Sequence, residues 1–422
     1  MTPSPVASLW RHADFMKLWV GQTVSEVGSV VTRTAVPLVA LLVLGAGPLQ
    51  MALIVVSASL AVLLVGFLAG AWVDRLRRRP LMILADVLRA ALLFSIPVAY
   101  LAGVLGMEQL YVVVFLEGCL GAFFDAAYPA YVPSLIGVDH VVDANSKLAT
   151  SSSLAEIGGP GLAGALVQLI GAPFAILVDA ISYVGSAISL LLIRAPEPAR
   201  PPRTESTPIR REIVEGLALI RGHALLLPIT LRSVIAHVAG SFYGVLYILF
   251  LVQDLGLEPF VLGMVISAGG VGSLVGSLFA SRAIRRFGIG PALIWSAVGA
   301  SAIGILTPLA GGPAVLVFLM VFLPQLIGDG LQTIEGVAEL SLIQGQVPDT
   351  LLGRVNASLE VFSHGIAYPL GALLAAAVAG SIGIRGGIAI GWAGMALSIL
   401  LLVFSPLPRQ REASDAVVPV TA

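Results

Sequence analysis

The chain has 422 residues, of which 58% are hydrophobic and only 11% charged, with a formal net charge of -1. Soluble globular chains carry about 25% charged residues, so this composition excludes an ordinary water-soluble domain and marks an integral membrane protein. The near-neutral charge lacks the basic excess that nucleic-acid binding requires, and the single cysteine, Cys119, permits no intramolecular disulfide and reads as core packing.

Crossing a bilayer as a helix takes about 20 apolar residues. Twelve runs qualify, near 16 to 44, 50 to 73, 81 to 104, 109 to 131, 147 to 170, 173 to 194, 225 to 252, 259 to 281, 289 to 310, 314 to 341, 356 to 380 and 386 to 405. The segment MTPSPVASLWRHADFMK lacks the basic start, short apolar core and small-residue cleavage site of a signal peptide, so the first helix is expected to stay as an anchor. Lys and Arg gather in alternate connections: Arg11 and Lys17, Arg75 to Arg79, Lys147, the 195 to 224 stretch, Arg282 with Arg285 and Arg286, Arg354, and Arg409 with Arg411. Arg385 is the main exception. The positive-inside rule therefore predicts a cell-membrane protein with both termini in the cytoplasm.

Between the second and third runs, Gly66 to Ala90 reads GFLAGAWVDRLRRRPLMILADVLRA. Gly66 and Gly70 share a helix face and admit a close neighbour, and a short basic turn follows. This turn resembles the signature loop of the major facilitator superfamily, roughly Gly-x-x-x-Asp-Arg-x-Gly-Arg-Arg, with Gly70, Asp74, Arg75, Arg78 and Arg79 matching in place. Arg77 stands where the family usually has glycine, while Asp86 and Arg89 continue its acid and base of helix three. The resemblance implies that Asp74 gates the cytoplasmic side by facing the start of helix eleven near Asn356 and Ala357.

Ala195 to His223 is the longest polar stretch, opening with prolines and closing with a mixed-charge amphipathic segment. The expected organisation is a six-helix bundle over 1–194, a cytoplasmic linker over 195–224, a second bundle over 225–405 and a cytoplasmic tail over 406–422. The halves repeat. Arg11-His12-Ala13 recurs as Gly222-His223-Ala224, Gly70 with Arg75 as Gly276 with Arg282, Val132-Pro133 as Val347-Pro348, Asn145-Ser146 as Asn356-Ala357, and Gly159-Pro160 loosely as Tyr368-Pro369. Offsets near half the chain length fit duplication.

Resemblance to this superfamily implies a substrate path lined by helices one, four, seven and ten. Those helices carry Glu26 and Arg33, Glu117 and Asp125, Arg232 and His237, and Asp329, Glu335 and Glu339. At a rise of about 1.5 Å per residue, Arg33 and Glu117 come out at similar depth, as do Arg232 and Asp329, which predicts one buried pair in each half. Such ions either lock helices together or carry a proton. Glu26, Arg33, Glu117, Arg232 and Asp329 are the proton-coupling candidates. Asp125, Glu335 and Glu339 are expected partners of the basic turns, His12 and His223 are expected exposed, and His237 and His364 each read as a lone packed histidine. Polar and aromatic candidates for substrate contact are Gln22, Phe123, Phe124, Tyr128, Phe242, Tyr243, Tyr247, Gln325 and Gln332; lipid-facing or packing roles compete for them.

In helix five, Gly158-Gly159-Pro160-Gly161-Leu162-Ala163-Gly164 looks like the Gly-Pro-x-x-Gly-Gly element of antiporters in this superfamily, with Ala163 in place of one glycine. Gly159, Pro160 and Gly164 are expected to bend the helix and pack closely across the interface of the halves. The arginine common in helix four of drug and proton antiporters is missing from Phe115-Leu116-Glu117-Gly118-Cys119-Leu120-Gly121. RHADFMKLWVGQTVSEVGS, FFDAAYPAYVPSLI and VPDTLLGRVNASLEVF instead resemble the branch that contains the macrolide efflux pumps and the enterobactin exporter. The resemblance implies an all-α membrane fold of two pseudo-symmetric six-helix bundles. It also implies a monomeric, proton-coupled exporter of a drug-like or siderophore-like amphipathic molecule. Transport of a lipid or nutrient on the same scaffold is the alternative. A membrane enzyme lacks support, with no metal-ligand cluster, nucleotide loop or nucleophile elbow, and no cofactor is expected.

Overall fold

The computed structural model of the chain describes residues 9–73, 76–195, 197 and 209–412. It is all helical among these. The helices are α1 (Ala13–Leu42), α2 (Pro48–Val73), α3 (Arg78–Leu101), α4 (Met107–Ile136), α5 (Val141–Ile170), α6 (Ala172–Leu191), α7 (Ile209–Gly222), α8 (Leu226–Leu249), α9 (Pro259–Phe287), α10 (Ile289–Gly304), α11 (Leu306–Leu309), α12 (Ala314–Leu323), α13 (Asp329–Gln346), α14 (Asp349–Glu360) and α15 (Tyr368–Val403). Among the described residues, eleven continuous helical runs are long and apolar enough to cross a membrane. The last of them, Thr350–Val403, is two crossings, because Gly383 breaks it at φ 82 and ψ 168. Twelve membrane helices result.

Three π-helical turns, Phe250–Asp254, Pro324–Gly328 and Val361–Ala367, are built into these crossings. Proline explains two of them. Pro324 has no N–H to give to the preceding turn, and Pro369, just past the third, cannot donate to Gly365, so the backbone widens by a residue instead of breaking. Joints between helices are as tight. Gly171 connects α5 to α6 alone, at φ 88 and ψ 152, nearly the conformation of Gly383. That region of dihedral space is open essentially to glycine only.

The chain divides into two compact units, Met1–Ala46 with Leu60–Thr204, and Gly47–Ser59 with Glu205–Ala422. In the first, Phe15, Leu18, Met82, Phe124, Tyr131 and Leu190 form a buried apolar cluster. In the second, Leu225, Ile229, Leu293, Leu342, Leu402 and Leu407 do so. The amphipathic α7 packs on α14, where Ile220 joins Val355 in a third cluster and Glu215 bonds Arg354 at 2.5 Å. Large apolar side chains remain exposed along the helices, among them Leu64, Leu169, Trp295 and Val315. This is the surface a bilayer demands, where the helical backbone satisfies its own polar groups.

Candidate functional site

Polar groups inside the first unit converge on Glu117 of α4. Arg89 of α3 donates to its Oε1 through Nε at 2.9 Å and again through a second guanidinium nitrogen, while Tyr183 Oη of α6 donates at 3.1 Å. Ser29 Oγ of α1 lies 2.9 Å from the same phenol, and the Arg89 guanidinium stacks 4.1 Å from the Tyr183 ring centre. One carboxylate thus ties four helices together. Asp86, fully buried, sits three residues before Arg89 on the same helix face. Glu26 accepts from Ser152 Oγ at 3.3 Å beside a cavity of about 250 Å³, to which Gln22 and Tyr128 also contribute.

The signature arginines of α3 act through backbone groups. Arg79 donates through Nε to the Leu190 carbonyl at 2.9 Å and through a guanidinium nitrogen to that of Leu191 at 3.0 Å. Those carbonyls belong to the last turn of α6, where a cation complements the helix dipole. Arg78 donates to the Ala130 carbonyl, and Glu197 accepts from the Arg78 N–H at 2.8 Å, an anion at the start of α3. Asp74 and Arg75, the gate and its neighbour in the sequence reading, lie outside the described residues, and Gly70 lies on α2.

The second unit encloses a larger cavity of about 480 Å³. Tyr243, Tyr247, Tyr368 and Trp392 give it aromatic walls, Gln325, Gln332 and Asp329 supply hydrogen-bonding groups, and one end carries Arg232, Glu335 and Glu339. Arg232 pairs with Glu335, and with Glu339 at 3.6 Å. Behind it α9 and α13 approach on glycine: a Cβ on Gly276 would run into the carbonyl of Gly330, and one on Gly269 into the Asp329 carboxylate. Asp329 follows the Pro324–Gly328 π turn, which also carries Gln325. Extra-residue turns of this kind recur at functional sites.

Several sequence expectations are corrected here. Arg33 pairs with Glu156 of α5 on the exposed face and not with Glu117, whose partner is Arg89. Arg232 pairs with Glu335 and Glu339 and not with Asp329, so those two acids do not serve the basic turns. Equal depth did not decide either pair, because rise along an axis leaves the direction around it free. Phe124 is buried in the core cluster, stacked on Tyr128 at 5.9 Å, and Phe123 packs against the same cluster. Phe242 is buried against Gly391. Large aromatics in a packed bundle go where glycine and alanine leave room. Gly159 meets Val30 of α1, so its close contact lies within the first unit; Pro160 and Gly164 are buried in α5. Cys119 is only half-buried.

The histidines differ most from expectation. His223 is buried, and its Nδ1 accepts from the Leu225 and Leu226 N–H groups at 3.3 and 3.4 Å, capping α8. His12 caps α1 in the same way, through Phe15 N–H at 3.1 Å, so the recurring His-Ala pair is one helix-start device used twice. Burial pushes the His223 imidazole below its usual value. His237 and His364 are not alone: their Nε2 atoms lie 3.2 Å apart. Sequence reasoning also missed Tyr183, Ser29, Tyr368 and Trp392, neutral residues in apolar helices that give no signal of charge or spacing.

The family model for the Major Facilitator Superfamily matches residues 18–364 of this chain. The chain belongs to this superfamily. It is therefore a multi-pass membrane transporter and not an enzyme. The chain is 29% identical to multidrug efflux pump Tap of Mycolicibacterium fortuitum, over 88% of this chain and 90% of that protein. It is 24% identical to macrolide efflux protein A of Streptococcus pyogenes, over 89% and 91%. A crystal structure of nucleoside transporter NupG shares the fold with a TM-score of 0.72 at 13% identity, covering 92% of this chain and 97% of that one.

Proposed function

We propose that this superfamily member exports a bulky, drug-like amphipathic molecule across the cell membrane in exchange for protons. The observation that carries the reading is the cavity of about 480 Å³, with four aromatic side chains and an ionic end. Pockets for drug-sized ligands run about 300–1,000 Å³ and combine apolar walls with a few placed polar groups. The first unit's 250 Å³ falls below that range. Efflux relatives that match nearly end to end support the direction.

In this reading residues 1–194 and 225–405 are the two bundles of a monomer, 195–224 is a cytoplasmic linker, and 406–422 is a cytoplasmic tail. Both termini face the cytoplasm, following the alternation of Lys and Arg. Asp74 closes the cytoplasmic side. The test compares accumulation of a panel of dyes and antibiotics in cells with and without the protein, then in proteoliposomes under an imposed pH gradient. Expected are lower accumulation of at least one cationic amphiphile and loss of export when the gradient collapses. Equal accumulation across the panel rejects the drug reading; export that ignores the gradient rejects proton exchange.

A further inference from the structure

Two imidazoles in the second unit meet nitrogen to nitrogen, each with a further polar neighbour at its Nδ1. His237 Nδ1 lies 2.7 Å from the Ser233 carbonyl on α8, and a carbonyl oxygen can only accept. His364, in the π turn Val361–Ala367, has Nδ1 3.3 Å from the Glu360 carboxylate, which also only accepts when ionised. The 2.7 Å contact places hydrogen on His237 Nδ1, with the Ser233 hydroxyl farther off at 3.5 Å, and an ionised Glu360 beside His364 Nδ1 favours hydrogen there as well. A neutral imidazole has a single N–H, so with hydrogen on both Nδ1 atoms the two Nε2 lone pairs oppose each other at 3.2 Å, the rings at 77°. Two acceptors at hydrogen-bond distance repel. One added proton turns the repulsion into an N–H···N bond.

We propose that His237 and His364 hold one exchangeable proton between their Nε2 atoms, and that this pair loads the coupling proton in the second unit, a role that rests on the proton-exchange reading above. A metal ion bridging the two rings is the competing occupant of such a gap, but no group of three or more His, Cys, Asp or Glu among the described residues could hold one. The location suits coupling. His237 lines the larger cavity, and the His364 side chain beside it is 55% exposed. Arg232 of α8 and Glu360 of α14 act electrostatically on His237, while Glu335, Glu339 and Asp329 of α13 line the same cavity. The protonated pair carries one positive charge, offset by Glu360. Loss of the proton removes the N–H···N bond between α8 and the π turn, which links proton release to helix movement.

The experiment labels the five histidines with 15N in the full-length protein in nanodiscs and follows the ring nitrogens with pH. His237→Gln and His364→Gln supply the assignments. Expected is a shared first protonation step for His237 and His364, one proton per pair. Substituting either ring should abolish the shared step and leave the other to titrate as a single site. Independent steps that ignore the partner's substitution overturn the shared proton. So does one-to-one binding of Zn2+ alone at neutral pH that displaces it, which would make the pair a metal site. The wild-type titration keeps the question open to refutation even if a variant misfolds. In proteoliposomes loaded with ethidium, pH-driven export should fall to the level of empty liposomes in His364→Gln. Persistence of export there overturns the coupling role. Wild-type export indifferent to the gradient, with the shared step intact in the spectra, would sink the proton-exchange reading and leave the site.

Discussion

The two units use one helix plan and leave different interiors. In the first, Glu117 is enclosed by Arg89, Tyr183 and Ser29, and the remaining space is about 250 Å³. In the second, Arg232 is held by two carboxylates from a single helix, and about 480 Å³ opens beside it. All three π turns among the described residues fall in the second unit. An extra residue rotates everything after it by about 100° relative to a regular helix. Side chains that would spread around the axis are gathered instead, Gln325 toward the cavity with Asp329 and His364 toward His237. Of the three widened turns, Pro324–Gly328 borders the larger cavity, through Pro324, Gln325 and Gly328.

Breaking the first unit's centre should have the largest effect. Glu117→Gln removes the carboxylate that bonds Arg89, whose side chain is 13% exposed, and stranding one member of a buried pair costs about 3–5 kcal/mol. Thermal unfolding in detergent should show that loss, largely restored by adding Arg89→Gln and untouched by adding Arg33→Gln. The matching change in the second unit, Glu335→Gln, should cost less, since Glu339 still faces Arg232 at 3.6 Å. Equal losses would mean that the second carboxylate gives no redundancy.

Packing is the next contrast. Gly276→Ala puts a methyl against the Gly330 carbonyl and should cost about 1–3 kcal/mol, the range for overpacking. Gly158→Ala in the first unit, where an added Cβ meets nothing within 4 Å, should stay within about 0.5 kcal/mol. Comparable melting shifts would contradict the close approach of α9 and α13.

The two histidine caps allow a subtler comparison in pH. Because burial lowers the His223 value in the folded protein, its contribution is fully present above the unfolded value of about 6.5 and is lost as pH falls through the folded value. His223→Asn caps without titrating. Melting temperatures of variant and wild type should coincide near pH 8 and diverge below pH 6, the variant being the more stable by up to about 1 kcal/mol. A variant that melts lower at acid pH would reject the cap. The smallest effect belongs to Arg33→Gln: its side chain is 60% exposed and that of Glu156 50%, and surface pairs contribute about 0–1 kcal/mol. A large loss of stability or export would show that Arg33 works somewhere other than that surface pair.

The membrane helices, their number and their kinship were legible because each rests on local composition or contiguous motif: apolar runs, the Arg78-Arg79 start of α3, the repeated His-Ala. The ion pairs were not. Depth follows from counting residues, but the facing direction depends on packing and, past Pro324, on a widened turn that no residue announces alone. Glu360 and His364 stand four apart, a spacing that places them on one face and could have been read. The contact of His364 with His237 could not, since it joins helices 127 residues apart in sequence.

Gly171 and Gly383 have a consequence for how the protein is made. With a single residue between α5 and α6, and again between the two crossings joined at Gly383, neither pair has a polar loop to send through the bilayer. Each pair is a hairpin whose turn is one glycine, with Arg385 two residues past the second. A residue with a Cβ at either glycine should strain the hairpin itself, so its cost is expected in the yield of inserted protein as well as in transport.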